Sequence, residues 1–366
     1  MEYVQRAIAT CHDFGGADPP TDLSRVAVVV PVTERAARTP TASDVLASVA
    51  ARNPARIVVP VQADADAIGP IADWLAEVDA PTDCLWCSAP ALADRLAAAG
   101  IDTPPGKGRD VWLALGVAAS AADRVAVHDA DVQTYAPETL ARLCFPLDHD
   151  YRFVKGYAAR VESDGLYGRL FRLFVSPLLD ALSDRHDAGI VRYLQAFRYT
   201  LSGSIATTAQ IARSMRPPPG WGLEIATLGT AFERAGFEAT AQVDLGRHVH
   251  DHRPVAGADG LERMAREVWT TLVDVCATHG VGVDPGALRT AYRTAADRLV
   301  DRYALDARFN GLPADPQGER DQIERYADAI DQVDQIDRLP AWDAIDLDPG
   351  TVRATATRAV RAELHR

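Results

Sequence analysis

The stretch Asp123-Arg124-Val125-Ala126-Val127-His128-Asp129-Ala130-Asp131 decides how this chain reads. Val125, Ala126 and Val127 are small or β-branched and apolar, the composition of a short buried strand that His128 can complete. Two carboxylates, Asp129 and Asp131, then arrive where the chain should leave the sheet. In open α/β sheets, ligands collect beyond the carboxyl ends of the strands. An Asp-x-Asp pair there can hold a divalent cation, and the cation can hold a diphosphate. The plainer alternative is a polar turn, because aspartate often ends a strand.

Working outward, the chain alternates strands and helices. Strands are expected at 25–30, closed by Pro31, at 56–60, at 83–87, at 152–157 and at 237–243. Helices are expected at 41–50, with Thr41 or Ser43 near the cap, and at 66–78, 91–99, 110–122 and 137–144. A longer helix over 165–182 should be kinked by Pro177. This alternation is the α/β pattern, and a nearly continuous apolar first strand suits a parallel sheet covered on both faces. Thr200-Leu201-Ser202-Gly203-Ser204 reads as a loop and Pro217-Pro218-Pro219-Gly220 as a rigid bend. From Gly260 onward the pattern is helical: to Val281, over 284–304, over 321–336 and over 352–364. The expected organisation is a lead-in at 1–24, two halves of one α/β domain at 25–135 and 136–255, and a helical extension at 256–366.

Composition narrows the function. The 366 residues are 48% hydrophobic, enough for a large core. No run approaches the 18 or so apolar residues of a membrane span, and no basic-then-apolar leader opens the chain, so a cytoplasmic location is expected. Cys11, Cys84, Cys87, Cys144 and Cys276 are an odd, scattered set, which argues against a disulfide framework. Cys84-Leu-Trp-Cys87 has CxxC spacing without a second pair, and reads as ordinary burial. The formal net charge is -13, which disfavours nucleic acid as a partner. Lys107 and Lys155 are the only lysines; the rest of the 38 basic residues are arginines. An acidic, lysine-poor surface fits a protein kept soluble in high salt, or a genome that favours Arg codons. Both lysines then need a reason, because arginine's planar fork cannot replace a compact ammonium everywhere.

Gly106-Lys107-Gly108 lacks the spacing and the Ser/Thr of a Walker A loop. It can still set an ammonium and helix N-terminal amides beside an anion. Glu224, among Trp221, Leu223 and Ile225, is a candidate acceptor for sugar hydroxyls. His248, His250 and His252 alternate, but a face of period-two histidines seldom completes a tetrahedral zinc site. One histidine joining the Asp-x-Asp pair around manganese is better motivated.

Together these residues resemble the glucosyl-3-phosphoglycerate synthases, retaining glycosyltransferases of the GT-A class. The resembling pieces are Val28-Val29-Val30-Pro31 with Glu34, Gly106-Lys107-Gly108, His128-Asp129-Ala130-Asp131 and Phe153-Val154-Lys155-Gly156-Tyr157. Gly168-Arg169, Gly220-Trp221-Gly222-Leu223-Glu224-Ile225 and Val243-Asp244-Leu245-Gly246 follow, running to His250 and Arg253-Pro254. The resemblance implies a Rossmann-like mixed sheet flanked by helices, with a helical C-terminal extension. It implies transfer of a hexose, glucose above all, from UDP-glucose or a GDP-linked sugar to a small anionic acceptor such as 3-phosphoglycerate. It also implies Mg2+ or Mn2+, a homodimer and a place in compatible-solute synthesis. By the same resemblance Pro31, Glu34, Lys107 and Asp129 bind the donor, Asp131 and His250 the metal, and Glu224 the sugar. The backbone carbonyl of Leu201 faces the reacting carbon, and Arg169 holds the acceptor. Departures keep mannosyl transfer, another acceptor, or a non-catalytic sugar-nucleotide-binding protein in view. Val61-Gln62-Ala63-Asp64 replaces an Asp-Ser-Gly-Ser-like run, Phe171 replaces a threonine, Leu201-Ser202-Gly203-Ser204 a Leu-Gly-Gly-Glu run, and His248 an arginine.

Overall fold

The computed structural model describes residues 3–162, 164–250, 260–330, 333 and 336–365. Its centre is a nine-stranded sheet. The strands are β1 (Ala9–Cys11), β2 (Val26–Val29), β3 (Val32–Thr33), β4 (Arg56–Gln62), β5 (Thr82–Trp86), β6 (Arg124–Val127), β7 (Phe153–Ala159), β10 (Ile205–Thr208) and β11 (Thr240–Arg247). A separate hairpin pairs β8 (Val161–Glu162) with β9 (Gly165–Leu166). β2 pairs in parallel with β4 and β6, and β4 with β3 and β5. β7 pairs in parallel with β11, and β11 with β1. Among the described strands of this sheet only β10 runs antiparallel, wedged between β6 and β7. The expected strands are present. β10 was not expected, because four residues after a small polar loop carry little periodic signal. β1 joins the sheet from within the stretch read as a lead-in.

Every residue of β2 is buried, as a strand covered on both faces requires. The covering helix is Lys107–Ala121, buried along most of its length. It starts three residues earlier than expected, with Gly106 at its cap. Its outer side is closed by the end of the chain. Trp342 stacks on Trp112 with ring centroids 4.5 Å apart, and each indole N–H donates to a backbone carbonyl across the contact. Gly116 makes room for that indole: a Cβ there would lie 2.2 Å from the Trp342 ring. Truncating a buried tryptophan of this kind costs about 3–5 kcal/mol.

Residues 165–182 correct the sequence reading. Gly165–Leu166 belongs to the hairpin, and the segment then winds through a π turn at Phe171–Val175 into the α-helix Ser176–Ser183. Pro177 has no N–H for the Leu173 carbonyl one turn back. That carbonyl instead accepts from the Tyr292 hydroxyl at 2.8 Å, on the long helix Pro285–Phe309. Pro177 therefore ties this helix to the C-terminal helices. Among the described residues, no helix is long and apolar enough to cross a membrane.

Candidate active site

β6 ends at Val127 and His128 N donates to Val29 O at 3.0 Å, so Asp129 and Asp131 stand beyond the carboxyl ends of β2 and β6. The Gly-Lys-Gly loop approaches from the start of the Lys107–Ala121 helix and packs against the proline bend. A Cβ on Gly108 would meet Pro218 O at 1.9 Å, and one on Gly106 would meet Pro219 O at 2.6 Å. The glycines thus let two backbones touch, and Arg109 N donates to Pro219 O at 2.9 Å. That amide is committed to the bend and is not free for an anion. Lys107 carries the loop's charge instead. Its Nζ lies 3.1 Å from Glu224 Oε1 and 3.4 Å from Asp129 Oδ1, and 5.7 Å from the Trp221 ring centroid.

The electrostatics follow from this packing. Burial opposes the charge on Lys107, but Asp129 and Glu224 outweigh it and hold its pKa above the usual lysine value. Burial would likewise raise Asp129, and Lys107 and His250 outweigh it, so the carboxylate stays ionised. The second lysine lines the same small cavity as Lys107, Asp129 and Glu224. Lys155 is 1% exposed, and burial pulls its pKa down to about 8 against the attraction of Glu224. Its Nζ donates to the Ser202 carbonyl at 2.6 Å. Gly203 lies against Asp129, where a Cβ would be 2.4 Å from Oδ2. The 200–204 turn, half-buried Leu201 included, is therefore pinned beside the carboxylates.

Asp131 and His250 are brought together by backbone pairing just past the Asp-x-Asp. Val132 bridges His250, and Gln133 N donates to Val249 O at 2.8 Å. Asp131 Oδ1 and His250 Nδ1 lie 3.2 Å apart. Two ligands at right angles on one Mg2+-sized ion would be about 3 Å apart, so this pair fits a shared cation. No group of three or more acidic, histidine or cysteine ligands gathers among the described residues. A cation held here by one carboxylate and one imidazole would take its remaining ligands from water and phosphate oxygens, the habit of Mg2+. His128 and His248 are buried, which pulls their pKa values to about 3 and about 4. Their Nε2 atoms have no partner among the described residues. His252, Arg253 and Pro254 lie outside the described residues.

The remaining expected residues are less enmeshed. Pro31 is half-buried between β2 and β3, at the same end of the sheet. Glu34 opens a one-turn helix capped by Thr33 and pairs with Arg38. Arg169 is exposed, with no hydrogen bond or ion pair among the described residues. Phe171 packs edge-on against Tyr199, ring centroids 4.9 Å apart. Arg172, by contrast, is buried and structural, bonded to Glu319 and to the carbonyls of Leu166 and Tyr167. The cysteines are free; burial raises the thiols of Cys84 and Cys87, so the CxxC spacing marks packing. Sequence reading missed Arg160, whose guanidinium feels Tyr199, Asp129 and Asp131.

No protein-family model matches the chain. It is 34% identical to the glucosyl-3-phosphoglycerate synthase of Methanococcoides burtonii over 283 residues, 71% of this chain and 68% of that protein. The enzyme of the same name from Persephonella marina is 35% identical over 272 residues, 70% of this chain and 67% of that one. The chain belongs to the glucosyl-3-phosphoglycerate synthase family. Its fold agrees with the crystal structure of the Mycobacterium tuberculosis member in complex with Mn2+, uridine-diphosphate-glucose and phosphoglyceric acid. That structure is 25% identical with a TM-score of 0.57, covering 76% of this chain and 89% of the other. The architecture is thus the GT-A fold of those enzymes.

Proposed function

We infer that this chain is a metal-dependent, retaining glycosyltransferase that moves glucose from UDP-glucose to 3-phosphoglycerate. One observation carries the reading: Lys107, Asp129 and Glu224 interlock beside the Asp131–His250 pair, at the strand ends where this fold takes its ligand. Asp131 and His250 would hold Mg2+ or Mn2+. When bound, the cation stabilises the charge that grows on the departing diphosphate. Pro31, Glu34 and Asp129 serve the nucleoside, with the Lys107 ammonium on the same side. Glu224 accepts from glucose hydroxyls while Lys107 holds its other flank. A carboxylate paired at 3.1 Å is a poor free nucleophile, which supports attack on the same face as the leaving group, beside the Leu201 carbonyl. Arg169 supplies a cation for the acceptor.

On this reading residues 25–135 serve the nucleotide sugar and 136–255 the acceptor. The acidic, lysine-poor composition supports a high-salt cytoplasm as the working environment, with two copies as the working unit. A donor-by-acceptor matrix at multimolar salt tests the assignment, read by nucleoside diphosphate release. UDP-glucose with 3-phosphoglycerate and Mn2+ should exceed GDP-mannose or neutral acceptors. Preference for a GDP-sugar or a neutral sugar acceptor would refute it.

A further inference from the structure

Arg160 and Arg169 bracket the small β8–β9 hairpin. Tyr167 N donates to Arg160 O at 2.8 Å, closing the base of the hairpin. Gly168 follows, and the π-turned helix starts at Arg169. The two arginines are therefore held near each other by a fixed element, but they face different surroundings. Arg169 is exposed. Arg160 is half-buried and turned inward: its Cδ lies 3.8 Å from where a Gly168 Cβ would be, and so does the Tyr199 hydroxyl. It interacts with Tyr199, Asp129 and Asp131, while its Nε is buried without a partner among the described residues. A buried guanidinium N–H without a partner is costly.

We propose that Arg160 is the inner of two anion subsites, taking the acceptor's carboxylate, while Arg169 takes its phosphate. This rests on the phosphoglycerate reading above and deepens it. In 3-phosphoglycerate the reacting hydroxyl sits on the carbon next to the carboxylate, with the phosphate one carbon further away. Of the two arginines, Arg160 is the one whose charge acts on Asp129 and Asp131, so the anion next to the reacting hydroxyl is assigned to it. A guanidinium fork can grip a carboxylate through two N–H groups. The Tyr199 hydroxyl stands alongside, and Phe171 fixes its ring from behind. Two cations at set spacing would select acceptors by the distance between their two anions, which a single exposed arginine cannot do.

The test uses UDP-glucose, Mn2+ and three acceptors: 3-phosphoglycerate, glycerol 3-phosphate, which lacks the carboxylate, and glycerate, which lacks the phosphate. Wild type, R160A, R160K and R169A are compared by kcat/KM, with circular dichroism and UDP binding as checks of folding. R160A should lose on the order of 100-fold with 3-phosphoglycerate and with glycerate, the scale of a broken charge-assisted pair. It should change glycerol 3-phosphate less than about threefold. R169A should show the opposite pattern, losing glycerol 3-phosphate and sparing glycerate. R160K keeps the charge without the fork and should fall between wild type and R160A, which preserves the test if R160A folds poorly. Equal losses on all three acceptors, or none, in the Arg160 variants would overturn this assignment alone. No transfer by wild type to any of the three would overturn the transfer reading, and this assignment with it.

Discussion

The proposed donor end and the proposed acceptor end of this site are built differently. At the proposed donor end the polar side chains are engaged: Lys107 spans Asp129 and Glu224, Asp131 meets His250, and Lys155 locks the Ser202 carbonyl. At the proposed acceptor end Arg169 is exposed and, among the described residues, the Arg160 Nε has no partner. The difference teaches what each end has to do. Preorganised charges lower a barrier because they need no rearrangement as the reaction proceeds. A subsite that must admit, orient and release a small anion is left with capacity to spare.

Five substitutions would break or sharpen this contrast. D131A removes the carboxylate of the cation pair and should lower turnover on the order of 10^3-fold, with Mn2+ binding lost in calorimetry. Retained Mn2+ affinity would place the cation elsewhere. K107M leaves Asp129 and Glu224 facing each other without a cation. A loss on the order of 10^2-fold in kcat/KM is expected, with about 2–4 kcal/mol of stability. Combining it with E224Q should cost less than the two single losses added, since one network is being cut twice. Additive losses would show that the donor end is not a unit.

K155M should release the 200–204 turn. The expected cost is about tenfold in kcat with the donor KM nearly unchanged, short of what a full ångström of misplacement costs. It also has a pH signature. Below about pH 8 the folded and unfolded chains both carry this charge, and its burial weakens the fold in full. Between about 8 and 10.5 the folded state has shed the proton that the unfolded chain retains, so stability gains with rising pH. The denaturation midpoint of wild type relative to K155M should therefore climb across that window; a flat difference would mean that burial does not lower the Lys155 pKa and that the folded chain keeps this proton as the unfolded chain does. The smallest effect belongs to F171A. Freed from the Phe171 ring, Tyr199 should loosen, raising the acceptor KM by roughly threefold, about the worth of one aromatic contact. UDP binding should not move, and if it does, the two ends share more structure than their contacts show.

Much of the fold was legible because its signals are local. The apolar run before Asp129 and the fully buried β2 announce a parallel sheet from their own residues, and the scarcity of lysine singled out Lys107 and Lys155 before any contact was known. What was not legible depends on the chain coming back. β10 is four residues long and is defined by the neighbours it separates. The Lys107 helix began at a Gly-Lys-Gly that propensity would exclude, because the proline bend takes the amide of Arg109 in its first turn. Arg160 follows two alanines on a strand that reads as ending in solvent. The hairpin closing onto Tyr167 sets it beside Gly168 and the Tyr199 hydroxyl. Its one sequence signal is position, five residues past Lys155 in the same run.

The Trp342 indole in the Gly116 groove has a consequence for the order of events in synthesis. The groove belongs to the helix that carries Lys107, while its filler lies 230 residues downstream of Trp112. At ribosomal speeds the interval between making the two is roughly 10–50 s. For that time the back of the donor half is an open apolar notch in a growing chain. The part of the protein that is written first is finished last, so a stop codon or a fusion joint placed before Trp342 should yield nascent chains that depend on a chaperone holding that notch.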